Sequence, residues 1–216
     1  MGQKFGINKK QVVPIGWLVR KQFYQHQPKN QLRKKLKLQP NLLTILICGG
    51  SEGTNAVLKI LPAFLKVKKP VQVIIICGKN TVLHKIAKSL EQILALKLKT
   101  FGFVKNLAPL IQASDLVIGK AGPNLLFETI ACKKPFFAIT HIHGQEDGNL
   151  DLIRKKKLGW VEEDGSRATE LLLKIIDHPE MLNKWEKYIL KEKKYIQSTG
   201  EKILNLALRS QQRIVN

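Results

Sequence analysis

LVIGKAGPNLLFETIACKKPFFAITHIHGQEDGN, residues 116–149, shows the same layout twice. A short apolar run, first Leu116 to Ile118 and then Pro135 to Ile139, reads as a buried strand, and a glycine-bearing cluster follows it and opens a helix. Strands without polar alternation are what a sheet covered on both faces requires, and strand–helix–strand order with right-handed crossovers makes that sheet parallel. Loops leaving the carboxyl ends of parallel strands share one edge. KAGPNLLFE and HGQEDGN should therefore converge there as a ligand site.

The alternation extends in both directions. Further strands are expected at Leu43 to Cys48, Val71 to Cys77 and Leu98 to Phe101, with a last short one at Gly159 to Glu162. The fold class is α/β, a Rossmann-like doubly wound parallel sheet. Before it, QVVPIGWLV at Gln11 to Val19 reads as extended chain, and Asn30 to Leu38 as a short basic helix that Pro40 ends. Beyond Arg167 the pattern is helical: Arg167 to Ile176, Pro179 to Tyr195 with proline at the first turn, and Gly200 to Arg213. This divides the chain into residues 1–40, an extended segment and basic helix; 41–178, the Rossmann-like domain; and 179–216, C-terminal helices.

Three clusters carry chemistry. CGGSEGTN, from Cys48 to Asn55, ends the first strand, and its glycines let backbone pass close to a bulky ligand while the next helix points free N–H groups at the loop, as phosphate needs. A purely structural turn is the alternative, since the spacing matches neither common phosphate-loop motif. In the second cluster Gly122 and Pro123 make a sharp helix start whose backbone N–H groups a diphosphate could accept. Glu128 then sits among apolar neighbours, and a buried carboxylate needs donors: a ribose diol supplies two, and a solvated or lysine-paired glutamate is the other reading. The third cluster places Gln145, Glu146 and Asn149 at a helix start, a polar density suited to sugar hydroxyls. His141 and His143, at i and i+2, should point to opposite sides of extended chain, and no third ligand has metal spacing, so no metal is expected. No nucleophilic triad can be assembled. The three tryptophans read as packing.

Lys and Arg number 37 against 16 acids, a net charge of +21, and residues 1–40 carry ten Lys or Arg and no acid. Such a surface attracts polyanions, unless the lysines reflect only an AT-rich genome. Cys48, Cys77 and Cys132 lie in or close apolar runs and lack C-x-x-C spacing, which fits buried reduced thiols. No apolar run has the length of a membrane span or the layout of a signal peptide, so a cytoplasmic location is expected.

GGSEG at Gly49 to Gly53, GFV at Gly102 to Val104, SDLVIGKAGP at Ser114 to Pro123, Glu128 and GQEDGN at Gly144 to Asn149 resemble the C-terminal half of glycosyltransferase family 28. The likeness is greatest to its glycolipid branch, the monogalactosyldiacylglycerol synthases and processive diacylglycerol glucosyltransferases, and runs from about Val13 to Glu163. It implies the C-terminal half of a GT-B fold, which binds a UDP-sugar donor, transfers hexose with inversion to a membrane lipid, and uses neither cofactor nor metal in the donor site. By resemblance backbone groups at Phe103 and Val104 would meet the uracil, Glu128 the ribose hydroxyls, Gly122, Pro123, Asn124 and Ser51 the diphosphate, and Gln145 and Glu146 the hexose, with Gly49, Gly50 and Asn149 also in the donor-binding set. Asn124-Leu125-Leu126 departs from the branch, which usually has a further Gly or Thr after the proline. PIGWLVRKQF at Pro14 to Phe23 resembles the hinge after the family's acceptor-binding half. A separate acceptor half, carrying the catalytic base, is therefore an expected partner, with lipid acceptor and an anionic membrane surface, peripherally bound, as the others. A nucleotide-sugar-binding module without catalysis, a UDP-sugar epimerase and a basic RNA-binding protein are the rival readings, nucleic acid being the least expected.

Overall fold

The protein is described by a computed structural model covering residue 8 and residues 12–50, 56–93 and 97–212. Its elements run α1 (Lys29–Lys35), β1 (Leu43–Cys48), α2 (Ala56–Ile60), β2 (Val71–Ile76), α3 (Thr81–Ile93), β3 (Lys97–Phe101), α4 (Ala108–Ala113), β4 (Leu116–Lys120), α5 (Pro123–Ala131), β5 (Phe136–Thr140), α6 (Asp147–Lys156), β6 (Gly159–Val161), α7 (Gly165–Asp177), α8 (Glu186–Gln197) and α9 (Thr199–Gln212). Short 3-10 turns occupy Lys21–Phe23, Leu61–Leu65 and Pro179–Trp185.

The strands form one sheet in the order β3-β2-β1-β4-β5-β6, and every neighbouring pair is parallel. The chain winds outward from β1 to β3, returns, and continues from β4 to β6. Between β1 and β4 the order reverses, and such a switch point leaves a crevice at the carboxyl ends of the two strands. The apolar strands divide by the two-residue period of a pleated sheet. Leu46, Cys48, Ile74, Ile76 and Val117 face a layer with buried residues of α1, α4, α5, α6 and α8. Ile45, Ile47, Val73, Ile75, Leu116 and Ile118 face the layer of α2, α3 and α7. Each fully buried aliphatic side chain stabilises the fold by about 1.5–3 kcal/mol, so both layers are needed.

Strand β6 depends on one glycine. Gly159 has φ +148°, and a Cβ there would lie 1.8 Å from the Phe136 carbonyl oxygen. Any side chain would push β6 off β5.

The Pro179 to Tyr195 segment is not one helix. Its first part is a 3-10 turn and α8 begins only at Glu186. In 3-10 winding residues i and i+3 eclipse, which sets Leu182 and Trp185 on one side, where both pack on the core layer behind β6. Trp185 meets Trp160 edge to face, with ring centroids 5.2 Å apart.

The basic N-terminal helix is fastened rather than free. Arg33 of α1 is 2% exposed. Its Nε donates to the Ala113 carbonyl at 2.9 Å, Nη1 to those of Pro40 (2.5 Å) and Leu42 (3.0 Å), and Nη2 to Asp115 Oδ2 at 2.7 Å. The Thr44 N–H donates to the same Oδ2 at 2.8 Å, and Lys29 pairs with Oδ1. Burial pushes the Asp115 carboxyl up, but Lys29, Thr44 and Arg33 together outweigh it and hold it below the usual carboxylate range. Part of the acid-free stretch is thus neutralised inside the fold.

Candidate functional site

A cleft of about 330 Å³ opens at the switch point. Of the residues expected from the sequence, Gly50, Phe103, Val104, Asn124 and Glu128 line it. They come from the loops after β1 and β3 and from the first turns of α5. Phe103 is 62% exposed at the rim, an apolar surface presented to solvent. Ser51 and the loop to residue 55 lie outside the described residues. Cys48 also lines the cleft, but burial pushes its thiol far up, as it pushes Cys77 up to about 11 and Cys132 up to about 12. These are neutral, reduced thiols.

The backbone geometry narrows which N–H groups a phosphate could use. The Gly49 N–H donates to the Ile76 carbonyl at 3.0 Å, and that of Gly122 to the Lys120 carbonyl at 2.7 Å. Pro123 has none. The first turn of α5 therefore offers the N–H groups of Asn124 and Leu125, which have no carbonyl four residues back within the helix. Gly50, another lining residue, has φ +81° and no atom within 4 Å of where a Cβ would lie.

Two residues from the extended N-terminal segment reach this site. Trp17 stacks on Phe127, with centroids 5.7 Å apart and planes at 11°, and its Nε1–H donates to Asn124 Oδ1 at 3.2 Å. Arg20 Nη2 donates to Glu128 Oε1 at 2.9 Å. Glu128 is 9% exposed, and burial, only partly offset by Arg20, pushes its carboxyl up. The carboxylate expected to need donors thus has an arginine as its partner. Arg20 and Trp17 were not singled out as site residues in the sequence, and the 108 positions between Arg20 and Glu128 explain why. Lys105, also on the cleft lining, directly follows the GFV motif but was not singled out, one lysine among many in a chain of this charge.

The KAGP and HGQEDGN clusters do converge. Asn149 Nδ2 donates to the Ala121 carbonyl at 2.7 Å, and a Cβ on Gly122 would lie 3.4 Å from Glu146 Oε1. Glu146 is 3% exposed and acts inside the protein: its Oε1 pairs with Lys120, and its Oε2 accepts the Ile142 N–H at 2.8 Å. Gln145 is exposed at the tip of the same turn, whose Gly144 has φ +77°.

The histidines do not point apart as extended chain would require. The strand ends at Thr140, and the chain turns at once, bringing the rings of His141 and His143 into edge contact at 4.2 Å. His141 Nδ1 lies 2.6 Å from Glu163 Oε1 and its Nε2 2.9 Å from Asp147 Oδ1. Glu163 first, and Asp147 with it, hold the His141 imidazole above its usual range against the effect of burial.

Residues 44–206 match the glycosyltransferase family 28 C-terminal domain, and the chain belongs to that family. It is 26% identical over 213 residues to the processive diacylglycerol beta-glucosyltransferase of Bacillus licheniformis, covering 99% of this chain and 55% of that protein. To monogalactosyldiacylglycerol synthase 3 of Arabidopsis thaliana it is 34% identical over 156 residues, covering 68% of this chain and 33% of the other. Among solved structures, an Anabaena protein in complex with UDP-glucose shares the fold at a TM-score of 0.60 and 16% identity, with 88% of this chain and 56% of that one covered. The chain spans about half the length of the Bacillus licheniformis and Bacillus subtilis relatives it matches.

Proposed function

We propose that this chain is the donor-binding half of a UDP-sugar-dependent, inverting hexosyltransferase that acts on a membrane lipid. The observation carrying this reading is the switch-point cleft, whose lining brings together the buried Glu128 carboxylate, Asn124 and Leu125 with their two unpaired N–H groups at the start of α5, and Phe103 and Val104 from the loop after β3. In this arrangement Glu128 takes the ribose hydroxyls, Asn124 and Leu125 hold the diphosphate, and Phe103 and Val104 flank the base. Gln145 and the Gly144 turn face the hexose. Glu146 and Asn149 act one step back, by holding that turn against Ala121 and Lys120.

During transfer an acceptor hydroxyl oxygen attacks the anomeric carbon as the bond to the diphosphate breaks, and a base takes the hydroxyl proton. The negative charge then grows on the diphosphate, where helix N–H groups stabilise it most. An acceptor-binding half supplies the base and the lipid pocket, and the excess of lysine holds the assembly on an anionic bilayer. The relatives whose names contain diacylglycerol or monogalactosyldiacylglycerol support the lipid assignment.

The test is UDP itself. At tenfold excess over its dissociation constant, ligand linkage stabilises the folded chain by about 1.4 kcal/mol. For a chain of this size that raises Tm by about 3–6 °C. A melt unchanged by millimolar UDP, with no heat in a calorimetric titration, would remove the nucleotide reading.

A further inference from the structure

We propose that His141, His143 and Asp147 form a binding site for a zinc-class divalent cation, held in register by Glu163. The nitrogen and oxygen donor atoms of the three residues all lie within 4.8 Å of one another. Two imidazoles and one carboxylate are the donor set that zinc takes in sites with three protein ligands, which leave the fourth tetrahedral position open. Imidazole ligands also argue against magnesium and calcium, which prefer oxygen.

Two features distinguish the cluster from chance neighbours. The first is the pairing of His141 with Glu163: a ligating histidine commonly gives its second ring N–H to a carboxylate, which fixes the tautomer and the ring plane. Here Glu163 Oε1 sits 2.6 Å from Nδ1, and the His141 side chain is 6% exposed, so Nε2 is the atom aimed at the site. The second is spacing. Nε2 and Asp147 Oδ1 are 2.9 Å apart, whereas two ligand atoms on a tetrahedral zinc lie about 3.3 Å apart at bond lengths near 2.0 Å. A cation can take the place of the hydrogen between them after a shift of a few tenths of an ångström, and the exposed His143 closes the remaining distance by side-chain rotation. Asp147 also accepts the Gly144 N–H at 3.0 Å, so a bound cation would stiffen the turn from His141 to Asp147. The site lies on the same turn as Gly144 and Gln145, which the proposed function gives to the hexose, but zinc binding is read without any nucleotide, so the two readings fail separately.

Zinc titrated into the chelator-stripped 216-residue chain, in competition with a fluorescent chelator, tests it. One equivalent should bind, and cobalt in its place should give the visible absorption of a tetrahedral centre. His143→Ala, an exposed position whose loss leaves the fold intact, should weaken zinc at least tenfold. Glu163→Gln should weaken it about 10- to 100-fold, the usual effect of losing such a supporting carboxylate. His178→Ala, whose ring pairs with Glu180 elsewhere, should change nothing. Zinc binding only above about 100 µM, or tight binding that His143→Ala leaves untouched, would overturn the site. The first result would mean adventitious binding, the second a site among the cysteines or elsewhere.

Discussion

Asp115→Ala is expected to destabilise the fold by about 3–5 kcal/mol, the usual consequence of removing one partner from a buried ion pair. Asp115 is the only anion among the groups that converge on it: Arg33, which is fully buried, Lys29 and the Thr44 N–H. Lys134 stands nearby, and burial with the adjacent Lys29 and Arg33 pushes its amine down to about 8, Asp115 acting against them. Without the carboxylate the Arg33 and Lys29 cations are left facing each other without a counter-charge, and the Lys134 amine beside them is pushed further toward its neutral form. The corner also joins α1 to the starts of β1 and β4, so its loss reaches the strands that flank the cleft. Against a total stability of roughly 5–15 kcal/mol, this change is a large fraction. Urea unfolding measures it, and a loss below about 1 kcal/mol would show that the network is dispensable.

The same group fixes a pH response. The folded carboxyl of Asp115 is held below its unfolded value, so its contribution is fully present above the unfolded value near 3.9 and disappears as pH falls through the folded one. The wild-type chain should lose stability on acidification below about pH 4 more steeply than Asp115→Asn. Parallel acid curves for the two would contradict the assignment.

Glu128→Gln is expected to weaken UDP by about 1–3 kcal/mol, roughly 5- to 150-fold, while the chain still folds. The substitution keeps shape and volume but replaces a two-oxygen acceptor with one acceptor and one donor end. A ribose diol, which presents two donors, would then meet an N–H. Folding should survive because Arg20, the carboxylate's partner, has a side chain that is 57% exposed, and exposed ion pairs contribute little. Calorimetric titration reads the affinity and a melt reads the fold. Unchanged UDP affinity would return Glu128 to a structural role, as an anchor for the Arg20 segment.

The strands of this protein were legible because each is a short aliphatic run bounded by Gly, Pro or polar residues. That pattern follows from local chemistry and needs no knowledge of neighbours. The convergence of KAGP and HGQEDGN was legible too, since parallel strands force their following loops to one edge. Glu128 was legible from its apolar neighbours, and Asn124 only from the family resemblance; both lie in the first turns of α5 and line the cleft.

What the sequence by itself determined, then, was the class of fold, the edge of the sheet that holds the site, and the family. Tertiary structure alone decided which charges meet. Arg20 finds Glu128 across 108 positions and Arg33 finds Asp115 across 82, pairings that no local spacing encodes. It decided that Glu146 is spent on Lys120 and Ile142 rather than exposed, and that Gly122 gives its N–H to Lys120. It also brought His141 and His143 together, because a turn directly after β5 cancels the alternation that extended chain would impose. Periodicity reports how a segment faces its own core, whereas the partners of a buried charge depend on how remote segments dock, and that is set only when the chain closes.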